Sequence, residues 1–170
     1  MLVRSYGLFW REDEVEWEPG SGGTFMMVGR HGSISPKLRV VDFRRQTGVY
    51  VLYGNHGPVY VGLAESKGGL GSRLRAHRAD EYAGYWDRFS WFGFCGVTKD
   101  QDERGFHMLE LIDIERAKLG KATDAIHDLE AILIKALGVR NKRDMNLTDA
   151  IEWTQIKLDE HENYFRRVRP

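Results

Sequence analysis

Two runs of Val and Tyr, Gly48–Tyr53 and Val59–Ala64, stand on either side of Gly54-Asn55-His56-Gly57-Pro58. β-Branched and aromatic residues bounded by glycine and proline predict two antiparallel strands joined as a hairpin. Side chains alternate across a strand, so pairing in equal parity puts Val49, Val51, Tyr53, Val59, Val61 and Leu63 on one face. That odd-numbered face reads as core. The even face then presents Tyr50 and Tyr60 among Gly48, Gly62 and Ala64, two phenols over small neighbours that leave room for a ligand to approach.

Around this hairpin the pattern predicts a mixed α/β (α+β) domain: a small central antiparallel sheet of about three strands flanked by helices. Residues 1–45 read as an N-terminal extension, with short strands at Tyr6–Trp10, Val15–Trp17 and Val40–Phe43. Its glycine-rich stretch Gly20–Gly23 lacks the lysine and following helix of a phosphate-binding loop and reads as a turn. After the hairpin, Leu70, Leu74 and His77 recur at helical spacing over Leu70–Tyr82, with Arg73 one turn before His77. Phe89–Val97 reads as the third strand. Its aromatics, with Trp86, read as core before a base-stacking platform. Helices are expected at Phe106–Lys118, Thr123–Leu137 and Ala150–Arg166, Gly138 capping the second. The whole divides into an extension (1–45), a central module (46–147) and a closing helix (148–170).

At 170 residues, with 42% hydrophobic and 29% charged residues, the chain suits one folded domain. No apolar run is long enough to cross a bilayer and the start lacks a signal peptide's apolar core, so no membrane partner and a cytoplasmic location are expected. The lone Cys95 excludes an internal disulfide. A formal net charge of zero argues against coating nucleic acid through a large basic field. Local basic clusters remain at Arg44-Arg45, at Arg73, Arg75 and Arg78, at Arg140, Lys142 and Arg143, and at Arg166, Arg167 and Arg169.

Glu130 is the residue hardest to pass over. At about 100° per residue it falls inside the apolar arc of its helix, roughly 40° from Ile126 and 20° from Leu137. A carboxylate there needs an arginine partner, a proton or a metal ion.

These residues, in this order, resemble the GIY-YIG nucleases. Gly48-Val49-Tyr50, and Tyr60-Val61-Gly62 with Tyr60 ten residues after Tyr50, are similar to the paired motif that names the family, with Val for Ile in both. Arg73 resembles the arginine of the first helix, His77 the His or Tyr one turn later, Glu130 the metal-binding glutamate, and Asn141 the asparagine closing the module, for which Asn146 is a rival. The resemblance spans residues 46–147. It departs from the family at Leu63, where some relatives carry lysine, and in the insertion Ser66–Gly69, which could move the helix start or touch nucleic acid.

The resemblance implies a metal-dependent endonuclease acting on nucleic acid, with DNA the expected substrate. Glu130 would hold Mg²⁺ or Mn²⁺. Arg73 would clamp the scissile phosphate, and Tyr50 would contact or deprotonate the attacking water. His77 would orient Tyr50 or the phosphate, Tyr60 would bind phosphate or shape the site, and Asn141 would hold the local structure. Cutting both strands of a duplex with one such site requires two chains or two visits, which leaves monomer and transient dimer open. Rival readings are a catalytically inactive nucleic-acid-binding module, a scaffold protein, and a hydrolase of small phosphorylated molecules.

Overall fold

The computed structural model describes residues 3–18, 25–31, 38–64, 66–110, 132 and 154–158. Nine strands and one α-helix lie among them: β1 Ser5–Arg11, β2 Val28–His31, β3 Arg39–Asp42, β4 Gly48–Gly54, β5 Gly57–Ala64, α1 Gly69–His77, β6 Arg88–Gly93, β7 Gly96–Gln101, β8 His107–Glu110 and β9 Thr154–Leu158. The strands hydrogen-bond in the order β5-β4-β6-β1-β9-β2-β3-β8-β7. β9 joins the two halves, running parallel to β1 and antiparallel to β2. No helix among the described residues is long and apolar enough to cross a membrane.

This architecture overturns the expected α/β layout of three strands flanked by helices: the described residues are mostly strand, with a nine-strand order and one helix. The reading failed where short apolar runs fit either period. His107–Glu110, expected to open a helix, alternates half-buried and exposed side chains and pairs with β7. Thr154–Leu158, expected inside a closing helix, is a strand whose Ile156 is buried against the core. Its partners lie in β1 and β2, more than a hundred residues away in sequence, so no local periodicity announces it. The single strand expected at Phe89–Val97 is two, β6 and β7, broken at Phe94-Cys95. Residues 1–45, read as an extension, supply β1, β2 and β3 to the interior of the strand order.

The hairpin forms in equal parity, Val49↔Leu63, Tyr50↔Gly62 and Val51↔Val61, with a bulge between Leu52 and Tyr53 before the turn. The expectation of an odd-numbered core holds in β4, at Val51 and Tyr53, but fails in β5, and the even side is buried as well. Tyr50, Leu52 and Ala64 of the even side join the principal core with Leu70 and Leu74 of α1, Trp10, Phe43, Phe89 and Trp91. On the odd side Val51 and Tyr53 join a second cluster with Phe92, Val3 and Tyr6, against which Ile132 packs. Val59, Val61 and Leu63 are exposed, at 40%, 63% and 43%. Alternation distinguishes two faces but does not say which one a helix will cover, and a tyrosine ring buries more apolar area than a valine.

Four aromatic rings form the centre of the core. Trp10 meets Phe43, Phe89 and Trp91 edge-on with centroids 6.2, 5.8 and 5.5 Å away. Beside them Gln46, 1% exposed, clamps three segments. Its Nε2 donates to Ser5 Oγ and to the Cys95 carbonyl, both at 3.1 Å, and its Oε1 accepts from the Cys95 and Thr47 amides at 2.9 and 3.0 Å. Its backbone carbonyl accepts from Leu70 N at 2.8 Å, which fastens the first turn of α1 to the segment leading into β4. Cys95 is buried, its Sγ 3.3 Å from Thr47 Oγ1.

Removing the Gln46 amide strands several buried donors and acceptors, each costing about 1–3 kcal/mol when left unpaired. Gln46→Ala is therefore expected to destabilise the fold by about 2–4 kcal/mol after partial relaxation. Urea denaturation of parent and variant measures it, and an unchanged midpoint would show that the clamp contributes nothing.

Candidate active site

The site starts from two strand positions that glycine makes possible. Gly48 has φ +150°, and a Cβ there would collide with the Phe92 carbonyl, so β4 can lie this close to β6 only with glycine. Gly62 is the cross-strand partner of Tyr50, and a Cβ on it would overlap the Tyr50 ring and hydroxyl. The phenol therefore lies across the hairpin towards α1, which carries His77 at its last position.

Tyr50 Oη is 2.8 Å from His77 Nε2, and His77 Nδ1 is 2.7 Å from Asp80 Oδ2. A carboxylate opposite Nδ1 selects the tautomer with its proton there, so in the neutral ring Nε2 accepts and the Tyr50 hydroxyl donates. Asp80 is held in turn: its Oδ1 accepts from the Tyr82 amide at 2.9 Å. The Trp86 indole donates to the His77 carbonyl at 3.2 Å, anchoring the end of the helix. Tyr60 and Tyr82 enclose the imidazole, with centroids 4.6 and 5.5 Å from it and 4.8 Å from each other.

Burial grades this row of groups. Tyr50 is 1% exposed and His77 7%, whereas Tyr60 is half-buried and reaches solvent. Burial pushes the Tyr50 pKa well above the ordinary tyrosine value. Tyr60 adds to this through its charge and a hydrogen bond, Arg73 opposes it and Asp80 adds a little. The Asp80 carboxyl lies below its ordinary value: desolvation raises it, but hydrogen bonds from the Tyr82 amide and His77 outweigh that. Asp80, His77 and Tyr50 thus form a hydrogen-bonded row that starts at an ionised carboxylate, and the half-buried Tyr60 ring packs beside its Tyr50 end.

Of the residues singled out from the sequence, Tyr50, Tyr60 and His77 meet directly. Arg73 is exposed one turn before His77, and its charge is felt at Tyr50. Glu130, Asn141 and its rival Asn146 lie outside the described residues. Asp80 and Tyr82 were missed. An acid three residues after the histidine was the available signal, because that spacing brings a side chain back to the last helical turn.

Among the described residues no group of three or more His, Cys, Asp or Glu side chains converges as a metal site would require. Asp80, the carboxylate of this row, already has both oxygens engaged. A hard divalent ion needs only one or two protein carboxylates when substrate phosphates and waters complete its shell, so these residues are compatible with an ion held from elsewhere in the chain. No protein-family model, no curated protein and no solved structure matches this chain.

The raised Tyr50 pKa links this row to stability. Its folded pKa exceeds the unfolded value of about 10, so the folded state binds the proton more tightly. That contribution is complete below about pH 10 and is lost as pH rises beyond it. Tyr50→Phe should flatten the fall in stability on the alkaline side, leaving a residual slope from Tyr53, whose pKa burial also raises. Urea midpoints from neutral to alkaline pH test this; identical slopes in the two proteins would contradict it.

Proposed function

We propose that this protein is a metal-dependent endonuclease that hydrolyses phosphodiester bonds in nucleic acid, with DNA the expected substrate. The observation that carries the reading is the hydrogen-bonded row Asp80–His77–Tyr50, with the half-buried Tyr60 ring packed against Tyr50 and His77 and the exposed Arg73 one turn before His77. Phosphodiester hydrolysis needs a path for the proton of the attacking water and a cation for the charge that develops on phosphorus oxygens.

The burial of Tyr50 reassigns the roles inherited from the resemblance. Tyr60 is the phenol that reaches substrate and water, and Tyr50 positions it from behind. As water attacks phosphorus, its proton passes to the Tyr60 oxygen while Tyr60 gives its own to Tyr50. Tyr50 gives its proton to His77 Nε2, and Asp80 stabilises the imidazolium so formed. The ester oxygen leaves from phosphorus as the new P–O bond forms, and it takes up a proton from solvent. Arg73 supplies a planar donor pair to the non-bridging oxygens. Glu130 would hold Mg²⁺ or Mn²⁺, which when bound supplies Lewis-acid stabilisation of the phosphate charge.

The burial of Tyr50 also favours a second reading, a nucleic-acid-binding module in which the row is purely structural and nothing is cleaved.

Plasmid incubated with Mg²⁺ or Mn²⁺ separates the two. The parent is expected to nick or linearise it, and Arg73→Ala, Glu130→Ala and Tyr60→Phe should each lose on the order of 100-fold in rate. Equal activity in all four proteins would assign the cutting to a contaminant or another site. An inert parent that still binds DNA would leave the second reading.

A further inference from the structure

A second surface, on the other flank of α1, is absorbed neither by the row of polar groups nor by the core. At 100° per residue Arg73 and His77 share one side of the helix, while Ser72, Arg75 and Ala76 share another. That other side walls a cleft of about 480 Å³ between α1 and the 3₁₀ turn Phe43–Arg45, into which Arg44, Arg45, Lys67 and Arg75 converge. No carboxylate is among its described lining residues. Arg44 is offset by Asp42, 3.0 Å from its Nε, and donates to the Phe25 carbonyl at 3.2 Å. Arg45, Lys67 and Arg75 are exposed and make no ion pair among the described residues.

Glycine builds this convergence. Gly69 has φ +62°, and a Cβ there would strike the Arg45 backbone at 2.6 Å; at Gly71 one would meet Arg44 Cβ at 2.6 Å and Phe25 at 2.9 Å. The two glycines let the 3₁₀ turn press against the start of the helix, which brings the Arg44-Arg45 pair beside Lys67 and Arg75. The helix end itself is occupied, since the Gly69 and Leu70 amides donate to Ser66 and Gln46 carbonyls. The cationic side chains therefore define the cleft.

We propose that this cleft binds the phosphates of a nucleic-acid strand without reading its sequence, a proposal that rests on nucleic acid being the partner of the neighbouring site. Three cations with no ion pair among the described residues, set around an open cleft, suit successive phosphodiester anions. The aromatic ring in its wall, Phe25, is buried and covered by Arg75, whose guanidinium carbon is 5.4 Å from the ring centroid. Among the described lining residues no open aromatic face is left to stack a base. A helix is about 10–12 Å across, so a strand crossing α1 would have roughly three nucleotides between the cleft and the Arg73 side. With a formal net charge of zero, the chain has no general basic field to substitute for this cluster.

Binding of a short labelled DNA strand, followed by fluorescence anisotropy in EDTA across a salt series, tests the proposal apart from cleavage. Arg45→Gln, Lys67→Gln and Arg75→Gln should each weaken binding several-fold at low salt. Each should lower the slope of log affinity against log salt by about one, and the Arg45→Gln/Lys67→Gln pair by about two. Thermal melting of the variants confirms that they fold, these side chains being exposed. Slopes and affinities equal to the parent's overturn the proposal. So does a parent that binds inorganic phosphate or a mononucleotide as tightly as the strand, because the cleft is then a small-anion site. A parent that binds through the cleft yet cuts nothing upholds this proposal and refutes hydrolysis; cutting with unaltered binding in the variants does the reverse.

Discussion

The buried amide of Gln46 is the constraint from which the rest of the arrangement follows. It satisfies Ser5 on β1, the Cys95 turn between β6 and β7, and the Thr47 amide at the entry to β4. Its own carbonyl takes the Leu70 amide at the start of α1. A buried polar group of this kind tolerates only the geometry in which all its partners are present. Because α1 is tied at that end, Leu70 and Leu74 pack over the even face of the hairpin and His77, two turns on, meets Tyr50.

The same placement produces two unlike surfaces on one short helix. Towards the hairpin, burial and hydrogen bonding set a protonated phenol and an imidazole in line with an ionised carboxylate. Away from it, Arg45, Lys67 and Arg75 stay in water with no ion pair among the described residues. The proposed hydrolysis and the proposed strand anchoring both depend on this division. Small residues make it possible: Gly62 clears space for the Tyr50 ring on one side, while Gly69 and Gly71 admit the Arg44-Arg45 turn on the other.

Parts of this were legible in the residues. The hairpin could be read from the alternation of Val and Tyr and the intervening Gly-Asn-His-Gly-Pro turn, whereas equal parity entered only as a condition, which the structure meets up to the bulge at Leu52/Tyr53. Helical spacing put His77 beside Arg73, although α1 ends at His77 and does not run on to Tyr82. Which face of the hairpin α1 covers could not be read, since aliphatic count favoured the odd side; α1 packs on the even one, while Val51 and Tyr53 of the odd side fill a second cluster. Asp80 escaped because a side chain beyond the helix end meets His77 only once the chain has turned, as the Asx-type bond to the Tyr82 amide makes it do.

What the sequence determined by itself is what depends on near neighbours: a two-strand hairpin, a helix carrying Arg73 and His77, turns at glycine, and a cysteine with no internal partner. Tertiary structure alone decided the nine-strand order, the insertion of β9 between β1 and β2, the burial of Tyr50 and the gathering of four cations around a cleft. The physical reason is range. Local propensity and periodicity act over one or two turns of chain, whereas strand order, burial and charge convergence arise from contacts between residues far apart in sequence.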